Sequence, residues 1–148
     1  MKIQSLLILA LAQTFALAQP AAEATASKSI TPAERFKEDW WKKRWDAKLV
    51  QTKEAEKAEL VFLGDSITQG WEGPGAKKTW DEHFAKYHPL NLGFSGDRTE
   101  HLLWRLKNDE ESLKKLSPKV AVILIGTNNT GHEQRPAADT TAGIKAVL

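Results

Sequence analysis

Cysteine is absent from the 148 residues. That removes disulfide frameworks, thiolate zinc sites and cysteine nucleophiles together. An excess of one charge is also lacking, since 21 Lys and Arg against 19 Asp and Glu leave a net charge of only +2. A nucleic-acid binder gathers a larger basic excess on one face, so nucleic acid is not an expected partner. Long apolar runs are missing too: Leu6–Ala12 is too short and too interrupted to span a bilayer. Aromatics reach 8%, although six of them are Trp. With 41% hydrophobic and 27% charged residues, the chain has the balance of one globular domain.

The start of the chain reads as a targeting signal. Lys2, the apolar run Leu6–Ala12 and the small-x-small pattern Ala16-Leu17-Ala18 describe a signal peptide over residues 1–18. An uncleaved anchor is the alternative. A secreted or periplasmic location without a stable membrane anchor is expected, and no cysteine follows to carry a lipid. Residues 19–31, rich in Ala, Ser and Thr, read as a linker. Thr31-Pro32-Ala33-Glu34 then has the form of a capping box, predicting a leading helix over 32–58. Trp41 and Trp45 share a face of that helix and read as docking contacts to the domain body.

From residue 59 the pattern changes. Leu60–Leu63, Leu90–Leu92 and Val120–Ile125 are continuous apolar runs, as expected of strands buried on both faces. Helical segments are predicted at Trp80–Tyr87, at Thr99–Leu106 with the stripe Leu102, Leu103 and Leu106, and from Ala137 to Leu148. Alternating strands and helices imply a parallel sheet with helices on both sides, an α/β fold.

Ligands bind such sheets beyond the carboxyl ends of the strands. Gly64-Asp65-Ser66-Ile67-Thr68 follows the first strand, Gly93-Phe94-Ser95-Gly96-Asp97 the second and Gly126-Thr127-Asn128-Asn129 the third. Ser66, Gly96 and Asn128 stand about 30 residues apart, the length of one strand-helix-strand unit, which brings all three groups to one rim. Ser66 offers a hydroxyl and an N–H at a helix start, Gly96 an unobstructed N–H, and Asn128 a side-chain amide. Three donors around a nucleophilic hydroxyl suit acyl transfer.

These blocks resemble the first three signature blocks of the SGNH (GDSL-type) hydrolases. The stretch Asn91–Asn129 is similar to the catalytic subunits of platelet-activating-factor acetylhydrolases and their secreted bacterial relatives. The resemblance implies a flavodoxin-like three-layer α/β/α sandwich with Leu60–Leu63 as the middle strand. It implies Ser66 as nucleophile, with the Ser66 N–H, the Gly96 N–H and the Asn128 side chain as oxyanion donors. Gly64, Asp65, Asp97 and Thr127 support them. The implied activity is a secreted serine esterase acting on small acyl esters of carbohydrates or lipids, with no cofactor and no implied oligomeric state.

The family's fourth block, a DxxH that supplies the catalytic His and its Asp, occurs nowhere in this sequence. The chain is therefore expected to be an N-terminal fragment, incomplete at its C-terminal end and inactive alone, because serine without a base is a weak nucleophile. A non-catalytic anion- or carbohydrate-binding module on the same fold is the alternative. Among the four histidines, His132 lies on the correct rim and reads as a loop-structuring or substrate-side residue, with a stand-in base as the alternative; His101 lies on the helix after the second block, and His83 and His88 flank a surface helix. Their spacing suits no metal. Asp65, Asp97 and Arg98 read as helix-opening residues. Trp104 reads as core, and Trp71 as either a wall of the acyl pocket or a cover for the sheet.

Overall fold

The three apolar runs form one parallel sheet. A computed structural model describes residues 27–148. The signal peptide over 1–18 and the first part of the linker, 19–26, lie outside the described residues. Strands β1 (Leu60–Gly64), β2 (Leu90–Gly93) and β3 (Val120–Leu124) lie in the order β2-β1-β3. Gly64 is in register with both Gly93 and Leu124, so the three strands end on one level. That alignment delivers the three polar blocks to a single rim.

The helices are α1 (Asp39–Glu54), α2 (Ser66–Gln69), α3 (Pro74–His83), α4 (Thr99–Asn108), α5 (Glu110–Leu113), α6 (Thr127–Gly131) and α7 (Ala137–Val147). Side chains alternate across the pleat of β1. Val61 and Leu63 join Leu90, Leu92, Leu102 and Leu116 in one core, with Leu106 and Leu113 packed against it. Each such side chain contributes about 1.5–3 kcal/mol when fully buried. Phe62 points the other way, with ring centroids 4.9 Å from Trp80 and 5.4 Å from Phe84. Helices therefore cover β1 from both sides. A second core joins Trp41, Trp45 and Phe94, with Trp104 against it, so Trp41 and Trp45 dock the leading helix.

Three expectations are revised. First, α1 begins at Asp39 rather than at residue 32. The Thr31 hydroxyl instead donates to the Ser27 carbonyl, and the Glu34 carboxylate accepts from the Phe36 N–H. Second, the described end of the linker is folded. Lys28–Ile30 make a 3-10 turn, and Ser29 is fully buried, its hydroxyl donating to Asp139 at the start of α7. Third, β3 is not buried on both faces: Val120, Val122 and Leu124 are 53%, 41% and 45% exposed. It lies at the sheet edge, and the aromatic cluster of α3 reaches only as far as Phe62 of β1.

Candidate active site

Asp65 closes β1 and caps α2, its Oδ1 accepting the Ile67 N–H at 2.9 Å. This is the expected helix-opening role. It makes Ser66 the first helical residue, so its own N–H has no partner within the helix. Ser66 is exposed, and none of the side-chain hydrogen bonds among the described residues involves its hydroxyl. Gly64 permits the turn. A Cβ there would lie 2.2 Å from the Thr68 hydroxyl and 2.4 Å from the Leu124 carbonyl.

The second block is held from both sides. The Ser95 N–H donates to Gln69 Oε1 at 2.7 Å, and the Ser95 carbonyl accepts from Arg35 Nη1 at 2.8 Å. Gly96 has φ +70, the left-handed region that glycine tolerates best. Asp97 is not the helix cap; Arg98 occupies that position. The Asp97 carboxylate turns inward and is fully buried. It accepts from Trp41 Nε1 at 2.7 Å, Arg105 Nε at 2.9 Å and Arg35 Nη1 at 3.0 Å. Three donors meet that carboxylate because a buried charge must be paired. Arg105 also donates to the Leu92 and Gly64 carbonyls and lies over the Phe94 ring. One ion pair thus ties the ends of β1 and β2 together. Burial pulls both partners toward neutrality, raising the Asp97 carboxyl and lowering the Arg105 guanidinium, while each holds the other charged.

The third block completes the convergence. Gly126 caps α6 at φ +112, and Asn128 in the first turn of that helix is buried. Asn128 Nδ2 donates to the Asp97 carbonyl at 2.8 Å and lies 3.4 Å from Asp65 Oδ2. It therefore bridges the residue before Ser66 and the residue after Gly96. The second contact is at the long limit of a hydrogen bond, so it is the weaker of the two that hold the amide. Thr127 is exposed and contributes its carbonyl to the Thr130 hydroxyl.

Asn129 does separate work. Its Nδ2 donates to Ser29 Oγ and Thr99 Oγ1, and its Oδ1 accepts the Thr99 N–H. Glu100, also buried, receives Arg98 and Arg135. Burial alone would raise the Glu100 carboxyl, but the hydrogen bonds from Arg135 and Arg98 overcome it and hold it low. His101 Nδ1 accepts the Arg98 N–H at 3.0 Å. Burial, reinforced by Arg98, lowers His101 to about 3, so it stays neutral. His83, His88 and His132 are exposed.

A cleft of about 350 Å³ opens at this rim, lined by Ser66, Gln69, Gly70, Glu72, Gly73 and Ser95. Glu72 is fixed by Arg44 and Lys48 at 2.9 and 2.6 Å. Trp71 does not line this cleft; it packs on Phe84 and Trp80, as a cover for the sheet. Sequence reasoning missed Arg35, Arg105, Glu100 and Arg135. The available signal was Arg105 lying within the apolar stripe of Leu102 and Leu106, where a charge needs a buried partner.

The model of the GDSL-like lipase/acylhydrolase family matches residues 62–148. Platelet-activating factor acetylhydrolase IB subunit alpha1 of Bos taurus is 44% identical over 90 residues, covering 61% of this chain and 35% of that protein. The alpha2 subunit of Rattus norvegicus is 38% identical over 111 residues, covering 75% of this chain and 44% of that protein. The chain therefore spans less than half the length of these relatives. A solved structure from Streptococcus pneumonia, described as a putative platelet activating factor, has a TM-score of 0.47 at 23% identity, over 76% of this chain and 50% of that one.

Proposed function

The chain belongs to the GDSL-like lipase/acylhydrolase family, and from that premise we propose that it carries the nucleophile and oxyanion pocket of a secreted serine esterase. One observation carries this reading. Asn128 spans from the Asp65 carboxylate to the Asp97 carbonyl, which ties together the residues next to Ser66 and Gly96 at the rim where Ser66 and Ser95 line an open cleft. Ser66 Oγ attacks the ester carbonyl carbon, and the carbonyl π pair moves to oxygen. The Ser66 N–H, the Gly96 N–H and the Asn128 side-chain amide stabilise that oxyanion, Asn128 exchanging its long contact with Asp65 for the substrate oxygen. A base takes the Ser66 proton and returns it to the leaving alcohol; water then releases the acyl group.

His101 is unsuited as that base, being buried, neutral and already engaged through Nδ1. In the family the resemblance points to, a DxxH block supplies the base, and this sequence contains none. The 148-residue chain is accordingly proposed to turn over weakly by itself. The substrates are small acyl esters, acetyl-type, of carbohydrates or short-chain phospholipid-like alcohols. The name of the alpha subunits supports an acetyl group, and the signal pattern at residues 1–18 supports export.

The test is hydrolysis of an aryl acetate by the 148-residue chain and by a longer form bearing a DxxH block. The longer form hydrolyses it. In that form Ser66→Ala lowers kcat by about 10³-fold or more. Asn128→Ala lowers it by about 10²- to 10³-fold, since one donor of three is lost. Undiminished activity in Ser66→Ala would overturn the reading. A second reading, a non-catalytic anion- or carbohydrate-binding module, is favoured by the unengaged Ser66 hydroxyl. It predicts saturable anion or glycan binding with no turnover in either form.

A further inference from the structure

We propose that Arg35 is a positioning residue for the Gly96 N–H, reaching the site from outside the family-matched region 62–148. This rests on reading Gly96 as an oxyanion donor. The Ser95 carbonyl and the Gly96 N–H belong to one peptide unit. That unit is planar and trans, so the two groups point in opposite directions. Arg35 Nη1 holds the Ser95 carbonyl at 2.8 Å. Fixing the oxygen fixes the direction of the N–H. Gln69 holds the preceding peptide through the Ser95 N–H. A Cβ built on Gly96 would stand 3.2 Å from both Nη1 and Nη2 of Arg35, so the guanidinium lies against the Gly96 α-carbon. A cation on the carbonyl also draws density from the amide and strengthens its N–H as a donor.

Arg35 is itself locked. Its Nε and Nη2 form a two-pronged pair with the Glu38 carboxylate at 2.9 and 2.8 Å, and Nη1 also reaches buried Asp97 at 3.0 Å. Its side chain is 15% exposed. Serving Ser95, Asp97 and Glu38 together needs the rigid fork of arginine, which a lysine ammonium lacks. The short segment before α1 thereby becomes part of the oxyanion pocket. A merely structural role for Arg35 would tie the segment down without setting the Gly96 peptide.

Two measurements test this. The first is the Gly96 amide proton resonance in the 148-residue chain, which needs no turnover. Arg35→Ala shifts it upfield and speeds its hydrogen exchange, while Leu103 amide exchange is unchanged. The second is aryl acetate hydrolysis by the active form. Arg35→Ala lowers kcat by about 10- to 10²-fold with KM within about 3-fold, less than loss of a whole donor. Added methylguanidinium restores part of it, and Arg35→Lys lies between. If the alanine variant does not fold, the lysine variant carries both measurements. A Gly96 resonance unmoved in both variants overturns the proposal, as does a rise in KM at constant kcat. If the resonance moves but hydrolysis survives Ser66→Ala, the clamp is supported and the esterase reading is what falls.

Discussion

His101 shows how one buried side chain can set the acid limit of the fold. It is 2% exposed, with Arg98, Arg35, Arg105, Glu100, Glu38 and, at 3.9 Å, Asp97 among its charged neighbours. Burial and the arginines hold it near 3, against about 6.5 in an unfolded chain. Between those values the unfolded state binds a proton that the native state refuses. Stability therefore falls as pH drops through that window, by up to about 1.4 kcal/mol per unit. Glu100, held low by Arg135 and Arg98, adds to the loss once pH falls below the ordinary carboxylate range. Urea unfolding at about pH 7 and about pH 5 should differ by about 2 kcal/mol from His101 alone. His101→Asn keeps an acceptor near the Arg98 N–H and removes the titration, so its two curves should lie closer together. Equal losses in both proteins would show that the histidine is not the titrating group. The meeting of the Ser66, Gly96 and Asn128 blocks at one rim was legible because short glycine-containing blocks recur after apolar runs. The pairing of Asp97 with Arg105 was not, because an Asp before a helix ordinarily reads as a cap.

At the scale of elements, the strands were readable and the helix starts less so. β1 and β2 are buried throughout, as continuous apolar runs imply. The start of α1 and the folding of Lys28–Ile30 depend on partners far along the chain, such as Ser29 with Asp139 and Arg35 with Asp97. No local pattern announces such partners. Glycines expose the same dependence. Gly143 lies where α7 presses on the first turn of α4 and the 3-10 turn. A Cβ there would stand 2.2 Å from Thr99 Oγ1 and 2.8 Å from Ser29 Cβ. Gly143→Ala should cost about 1–3 kcal/mol by overpacking, despite better helix propensity. A Cβ added at Gly75 in α3 would meet nothing within 4 Å. Gly75→Ala should gain up to about 1 kcal/mol. Denaturant midpoints should move in opposite directions for the two variants. Two shifts of the same sign would mean that propensity, and not the Thr99 contact, decides.

Across the whole molecule, the two sheet edges are treated differently. The outer side of β2 is closed by side chains: Arg44 Nε donates to the Gly93 carbonyl at 2.8 Å, and Asn91 Oδ1 accepts the Gly93 N–H at 2.9 Å. α1 supplies Arg44 and lies alongside. β3 pairs with β1 on one side, and no described strand pairs with its other side. Val120, Val122 and Leu124 lie on one face of it, more than two fifths exposed each. An open edge with apolar side chains is a template for another chain. The 148-residue chain should therefore self-associate through β3 as its concentration rises. A charge placed on that face blocks edge pairing without entering the core. Val122→Lys should shift sedimentation toward the monomer while leaving the unfolding free energy from urea titration within about 0.5 kcal/mol of the parent, as expected for an exposed site. Val50→Lys, at a 54% exposed position on α1, should leave association unchanged and so controls for a general charge effect. Association of Val122→Lys at parental concentrations would place the contact elsewhere, and the residues lining the Ser66 cleft would be the next to substitute.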